Sequence, residues 1–309
     1  LHNFARDRAG DAAMIDTGLR QSNLAILGFG CEPRNALFQF RLGNFQSRFV
    51  PRQFQSPNFH ERNRPHNFLV GLDGPDPIAQ AACHETWAAC GADPSNLVVV
   101  PCPKVGLAEV RNRLLPLCRG EILLSLNDDV LAAPELLKEH TQAHSQAQRV
   151  IIVSGYSPWV IHTPDRIFDR LLRETGMVFF YHTMMDANAQ STKPIDHDWG
   201  FRHAWGLNMS MPLRAVRELG GFSVYPAKYG YEDIEMAYRL HASCDAPVRF
   251  CPQATAAHDH RMDPAEYFSR EYKLGYASPG FALQSPQCAH ALFRRDLLST
   301  KEVAFVREA

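Results

Sequence analysis

The chain lacks most of the features that would assign it at a glance. Its eight cysteines include no CxxC pair and show no dense spacing, which argues against a zinc site or disulfide framework and for reduced thiols of the cytosolic kind. No run of about 18 apolar residues occurs and no cationic-then-apolar leader opens the sequence, so nothing in it reads as a membrane span or signal peptide. Charge bias is also missing. The formal net charge is -1, which gives no bulk attraction to nucleic acid or an anionic surface. There is no GxxxxGK[ST] loop, Gly28-Phe29-Gly30 is only a fragment of a dinucleotide fingerprint, and no GxSxG elbow is present. P-loop ATPase, Rossmann dehydrogenase and α/β-hydrolase readings are correspondingly weak. The expectation is a soluble, cytoplasmic protein, free or peripheral to a membrane, without a nucleic-acid partner.

What is present is ample core material: 45% of the 309 residues are hydrophobic, enough for one large domain, alone or with an appendage. Residues 1–66 contain no lysine and little periodicity; they suggest a strand at Leu24–Phe29, a helix over 35–50 and a loop over 53–66. From residue 67 the pattern sharpens. Strands are predicted at 68–72, 97–100 and 121–126, with helices at 77–90 and 106–118 and another opened by Pro134. That alternation predicts a right-handed parallel α/β sheet. The later half is mixed: a strand at 150–154, a helix at 164–174, a long polar stretch with aromatics over 175–202, helices at 212–219 and 233–241, and a strand starting at 248. Residues 264–309 read as helical, interrupted near Pro279-Gly280.

The segment from Glu121 to Val130 is the most telling. An apolar run ends abruptly in Asn127-Asp128-Asp129, as a buried strand does when it delivers acids to the rim where open α/β sheets bind ligands. Adjacent carboxylates repel, so a cation is expected there, with a divalent metal carrying a diphosphate as the leading candidate. An N-cap for the following helix is the plainer reading, weakened by the distance to Pro134. Glu232-Asp233 after Tyr229-Gly230-Tyr231 could equally be acids compensating a helix dipole or a general base beside an aromatic, sugar-binding loop. His258-Asp259-His260 ends a predicted strand, where a histidine could complete a metal shell.

In order and spacing, Asp73-Gly74, Arg111-Asn112, Asn127-Asp128-Asp129, Gly206-Leu207-Asn208-Met209-Ser210, Gly220-Gly221-Phe222, Glu232-Asp233 and His258 resemble the inverting, metal-dependent family 2 glycosyltransferases of the GT-A fold. The resemblance covers roughly residues 67–275. It implies an open, mostly parallel sheet flanked by helices, divided into a poorly readable N-terminal part (1–66), a catalytic core (67–263) with a nucleotide side (67–130) and an acceptor side (205–263), and a C-terminal helical extension (264–309). By the same resemblance Asp73 looks like the acid that contacts the nucleotide base, which favours a UDP-linked donor. Asp128 and Asn127 would lie near the ribose or metal, Arg111 near the diphosphate, and Asn112 would pack its helix. Asp129 and His258 would hold Mn2+ or Mg2+. Asp233 would be the catalytic base with Glu232 orienting it or the acceptor, and Trp205, Tyr231 and Asn208 would line the acceptor face.

Two departures stand out: Asn127 occupies the place of the first acid of the usual DxD, and the N-terminal strand motif of the family is not recognisable, with 30–35 only a distant candidate. The implied reaction moves a sugar from a nucleotide-diphosphate donor to a hydroxyl of a glycan or related acceptor. A nucleotidyltransferase and a catalytically weak glycan-binding protein on the same fold remain the rivals.

Overall fold

The computed structural model describes the backbone of residues 24–30 and residues 67–299 and 301. The expected helix over 35–50, the loop over 53–66, the candidate at 30–35 and the last residues of the C-terminal extension lie outside the described residues.

Eight strands form one sheet in the order β3-β2-β1-β4-β7-β6-β8-β5. Its first half is the alternation read from the sequence. Strands β1 (Leu24–Gly30), β2 (Asn67–Asp73), β3 (Leu97–Cys102) and β4 (Ile122–Asn127) are all parallel. Helices α1 (Pro77–Ala89) and α2 (Leu107–Leu114) are the crossovers. Beyond β4 the sheet becomes mixed. Strand β7 (Asn208–Pro212) runs antiparallel to both β4 and β6 (Ile152–Tyr156). Strand β8 (Val248–His258) is parallel to β6, and short β5 (Val130–Ala132) closes the edge antiparallel to β8. The strands β2, β4, β6 and β8 therefore all end at one edge of the sheet, which gathers Asp73, Asn127 and His258 on one rim.

The remaining helices are α3 (Leu136–Ser145), α4 (Ile167–Thr175), the single turn α5 (Tyr181–Met184), α6 (Leu213–Glu218), α7 (Glu232–Cys244), α8 (Pro264–Gln284) and α9 (Pro286–Phe293). Buried Leu69, Val110, Leu114, Leu123, Met209, Met211 and Val216 fill the core on one sheet face. Leu124, Leu136, Trp205, Phe250 and Ala256 belong to that on the other.

Two expectations are corrected. Residues 208–212 form an unforeseen central strand, because its polar side chains find partners inside the fold. Nor does α8 break at Pro279. Proline cannot bond the carbonyl four residues back; that carbonyl, Gly275 O, instead accepts from the Ser278 hydroxyl at 2.8 Å, and the helix runs on to Gln284.

Candidate active site

At the end of β2 the Asp73 carboxylate is turned onto the next loop, where Oδ1 accepts the backbone N–H groups of Val105 (2.7 Å) and Gly106 (2.9 Å). These bonds hold the loop entering α2 against the strand end. Asp73 and Asn127 lie on the strands either side of β1, with Asn127 level with Gly71 and Asp73 two residues further on, so they stand about 12 Å apart at the usual strand spacing and rise.

The link from this rim to α7 is the short segment 205–207. Gly206 N–H donates to Asp233 Oδ2 at 2.8 Å, and its carbonyl accepts from the Ser125 hydroxyl of β4 at 2.6 Å. Leu207 O accepts from Asn127 N–H at 3.3 Å. One peptide segment thus fixes the rim of β4 and the first turn of α7 relative to each other. A Cβ on Gly206 would lie 2.6 Å from Arg111 Nη2, so the close approach requires glycine.

Helix α7 opens after Tyr231, held at φ 69°. Asp233 is half-buried; its Oδ1 also accepts from Ile234 N–H at 2.8 Å. Its neighbour Glu232 turns inward. Glu232 is 5% exposed and pairs with Arg111, itself 1% exposed, at 2.7 Å. Burial raises the Glu232 carboxyl above its ordinary pKa, the Asp233 charge pushes the same way, and Arg111 opposes both. The Arg111 guanidinium also lies 5.1 Å from the Phe222 ring. Asn112 exchanges two hydrogen bonds of 2.7 Å with the Phe222 backbone, which fixes the turn after α6.

On the other flank, Asp129 Oδ2 lies 3.2 Å from His258 Nε2 and 3.6 Å from His260 Nδ1, and the Asp129 carbonyl accepts from Asp259 N–H at 2.7 Å. His258 is 7% exposed, with its ring 4.4 Å from that of Trp159 and 5.7 Å from that of Phe179. Ligands bonded to one ion at about 2.1 Å stand roughly 3.0–3.4 Å apart, so the Asp129–His258 spacing and donor chemistry fit a divalent cation. Among the described residues, however, no three His, Cys, Asp or Glu side chains are already arranged around one ion.

The structure thus brings Asp73, Asn127, Asp128, Asp129 and His258 to one rim and ties Asp233 to it through Gly206. It engages four expected residues in packing and internal bonds. Asn208 is 1% exposed and spends its side chain on Ala254 O (2.9 Å) and His140 Nε2 (2.9 Å), so it braces β7 rather than facing an acceptor. Arg111 is buried under the 205–207 segment and paired with Glu232. Trp205 is buried against Phe179, Phe180 and Tyr181 and shapes the wall from behind. Tyr231 stacks on Phe281 of α8 at 4.5 Å and donates its hydroxyl to Leu274 O at 3.0 Å, anchoring the loop to the C-terminal helices. The aromatic group of Trp159, Phe179 and Phe180 beside His258 and Trp205 was not anticipated; the aromatics within the long polar stretch 175–202 were the available signal.

No family model matches the chain. Over 151 residues it is 28% identical to validoxylamine A glucosyltransferase of Streptomyces hygroscopicus subsp. jinggangensis (strain 5008), covering 44% of this chain and 35% of that protein. Over 172 residues it is 23% identical to YfnE, an uncharacterized glycosyltransferase of Bacillus subtilis (strain 168), covering 44% of this chain and 43% of that one. The chain therefore spans less than half the length of these curated relatives. Among solved structures, S. aureus TarS 1-349 in complex with UDP superposes with a TM-score of 0.50 at 9% identity, covering 93% of this chain and 75% of that one. The fold is of the GT-A type. No described helix is long and apolar enough to cross a membrane.

Proposed function

We propose that the chain is a metal-dependent, inverting glycosyltransferase of family 2 that moves a sugar from a nucleotide-diphosphate donor, UDP-linked by preference, to a hydroxyl of a glycan or related acceptor. The observation that carries this reading is the pinning of Asp233 and the Asn127–Asp129 rim to one segment, Gly206-Leu207. It fits curated relatives that are named glycosyltransferases and a structural neighbour that binds UDP.

The donor would lie along residues 67–130. Asp73, whose Oδ1 already holds the 105–106 loop, would turn its other oxygen to the base, and Asn127 and Asp128 would meet the ribose side. Asp129 and His258 would hold Mn2+ or Mg2+, which when bound neutralises charge on the leaving diphosphate. The acceptor side, residues 205–263, would supply the proton acceptor. Asp233 receives one backbone N–H on each oxygen, which fixes its plane and leaves a lone pair on each for the hydroxyl proton. That proton must leave as the oxygen attacks the anomeric carbon on the face opposite the diphosphate, and the configuration inverts. Glu232 would act by holding Arg111, and through it the floor under Gly206.

A nucleotidyltransferase would want a basic, glycine-rich loop for a triphosphate, and nothing in the first 66 residues reads as one. A glycan-binding protein would show no turnover of the donor. The test is a thermal-shift screen of nucleotides and nucleotide-sugars with and without Mn2+. A ligand at 100 times its Kd raises stability by about 2.7 kcal/mol. UDP-linked ligands should give the largest Mn2+-dependent shift, whereas a response to ATP or NAD with none to UDP, GDP or TDP would refute the reading.

A further inference from the structure

Helix α8 is apolar on two sides. Its inner face, with Ala277, Phe281 and Ala282, is buried in the fold. The opposite face carries Phe268, Tyr272, Gly275, Tyr276, Pro279 and Leu283, whose separations of three, four and seven residues set them in one stripe along the helix. The three aromatic residues and Leu283 are 68–75% exposed. A surface helix ordinarily turns polar residues to water, and a contiguous apolar stripe marks a face that meets something else.

Gly275 indicates what it meets. It stands at the middle of the stripe in helical backbone, where glycine is a poorer residue than alanine. Among the described residues nothing lies within 4 Å of the position its Cβ would take, so packing within one chain does not call for a glycine there. A second helix crossing close to the backbone does, because the bare Cα leaves a hole for a partner's side chain.

The stripe is also its own complement. Laid antiparallel about its middle, α8 sets Tyr276 of each copy over Gly275 of the other, Tyr272 over Pro279, and Phe268 against Leu283. Glu266, Arg270, Glu271 and Lys273 all lie in the first half of the helix, and 275–284 carries no charge, so each charged half meets a neutral one and no like charges face each other. We propose that α8 is the two-fold contact of a homodimer, paired antiparallel with α8 of a second copy. At the usual size of these side chains each copy buries about 500 Å² of the stripe. The total of roughly 1,000 Å² is near the lower limit of specific interfaces, which makes the dimer weak, with a Kd in the micromolar range. The inner face of α8 holds the Tyr231 loop through Phe281 and Leu274 O, so pairing braces the helix on which the entrance to α7 rests.

The test follows the mass of the full chain by sedimentation velocity across the micromolar range, where wild type should pass from monomer to dimer. Gly275→Leu fills the hole and should weaken dimerisation by about 30-fold or more, as loss of a central contact does. Its melting temperature, read below the dimerisation range, should stay level or rise, since leucine is the better helix former. Tyr276→Ser removes the side chain that fills the hole and should weaken the dimer likewise. The rival occupant is a lipid surface, checked by flotation with phosphatidylcholine vesicles with and without phosphatidylglycerol. It predicts the reverse response, tighter binding by Gly275→Leu through the added apolar side chain. A monomer at every concentration, a dimer that both variants leave intact, or vesicle binding that Gly275→Leu strengthens would overturn the proposal.

Discussion

The two halves of the sheet solve the same problem differently. In the parallel half, β2 and β4 are apolar over most of their length apart from Ser125 and end in Asp73 and Asn127, so chain direction delivers those two residues to the rim. In the mixed half, direction is not enough, because β7 runs the opposite way. Position there is set by buried side chains bonding to each other and to backbone: Glu232 to Arg111, Asn208 to His140 and Ala254, and Ser210 to His140 Nδ1 (2.8 Å) and His144 Nε2 (2.9 Å). The first half should therefore tolerate changes at the rim without unfolding. The second should lose stability and function together, except at Asp233.

That exception gives the largest expected effect. Asp233→Asn keeps the size but, with one acceptor oxygen, gives up its bond to one of the two backbone N–H groups and cannot take a proton. Transfer should therefore fall by about 10²–10⁴-fold with donor affinity nearly unchanged and a small loss of melting temperature from the lost bond. Turnover, UDP affinity and melting temperature on this one variant check it. A normal rate with a lowered melting point would mean that Asp233 is only a helix-end acid.

Arg111→Met sharpens the contrast from the stability side. Removing one member of a buried pair strands the other charge, at a cost of about 3–5 kcal/mol. Urea unfolding should show that loss, and Arg111→Met combined with Glu232→Gln should recover part of it. An equal substitution at the opposite rim, Asp128→Asn, should cost far less.

The smallest effect is acid sensitivity of the polar network. Burial lowers the pKa of His140 from 6.5 to about 4 and that of His144 to about 3. Both are neutral when folded, whereas an unfolded histidine takes a proton near pH 6.5. Stability is therefore complete above 6.5 and falls as the pH drops toward 4. His140 alone should contribute a loss of about 2 kcal/mol by pH 5. Urea midpoints between pH 7.5 and 5 should follow that slope, and His140→Gln should flatten it.

The same contrast explains what could be read from the sequence. β2, β3 and β4 were legible because a strand covered on both faces is a bare apolar run, and Asp73, Asn127 and Asp129 follow from where those runs stop. β7 was not, since Asn-Met-Ser-Met-Pro looks like a strand only once α3 has brought His140 and His144 to its polar side chains. Arg111 and Asn208 could be noticed as motif members, but their burial depends on partners 121 and 68 residues away. Gly206 was visible only as part of a motif; its tie to Asp233 depends on the packing of α7 against the 201–207 segment.

The most direct test of the central claim is to incubate the protein with Mn2+, UDP-sugars and a panel of hydroxyl-bearing glycan acceptors, follow UDP release, and determine the anomeric configuration of the product by NMR. The account predicts Mn2+-dependent release coupled to a product of inverted configuration, and a product with retained configuration, or no release from any nucleotide-sugar, would contradict it.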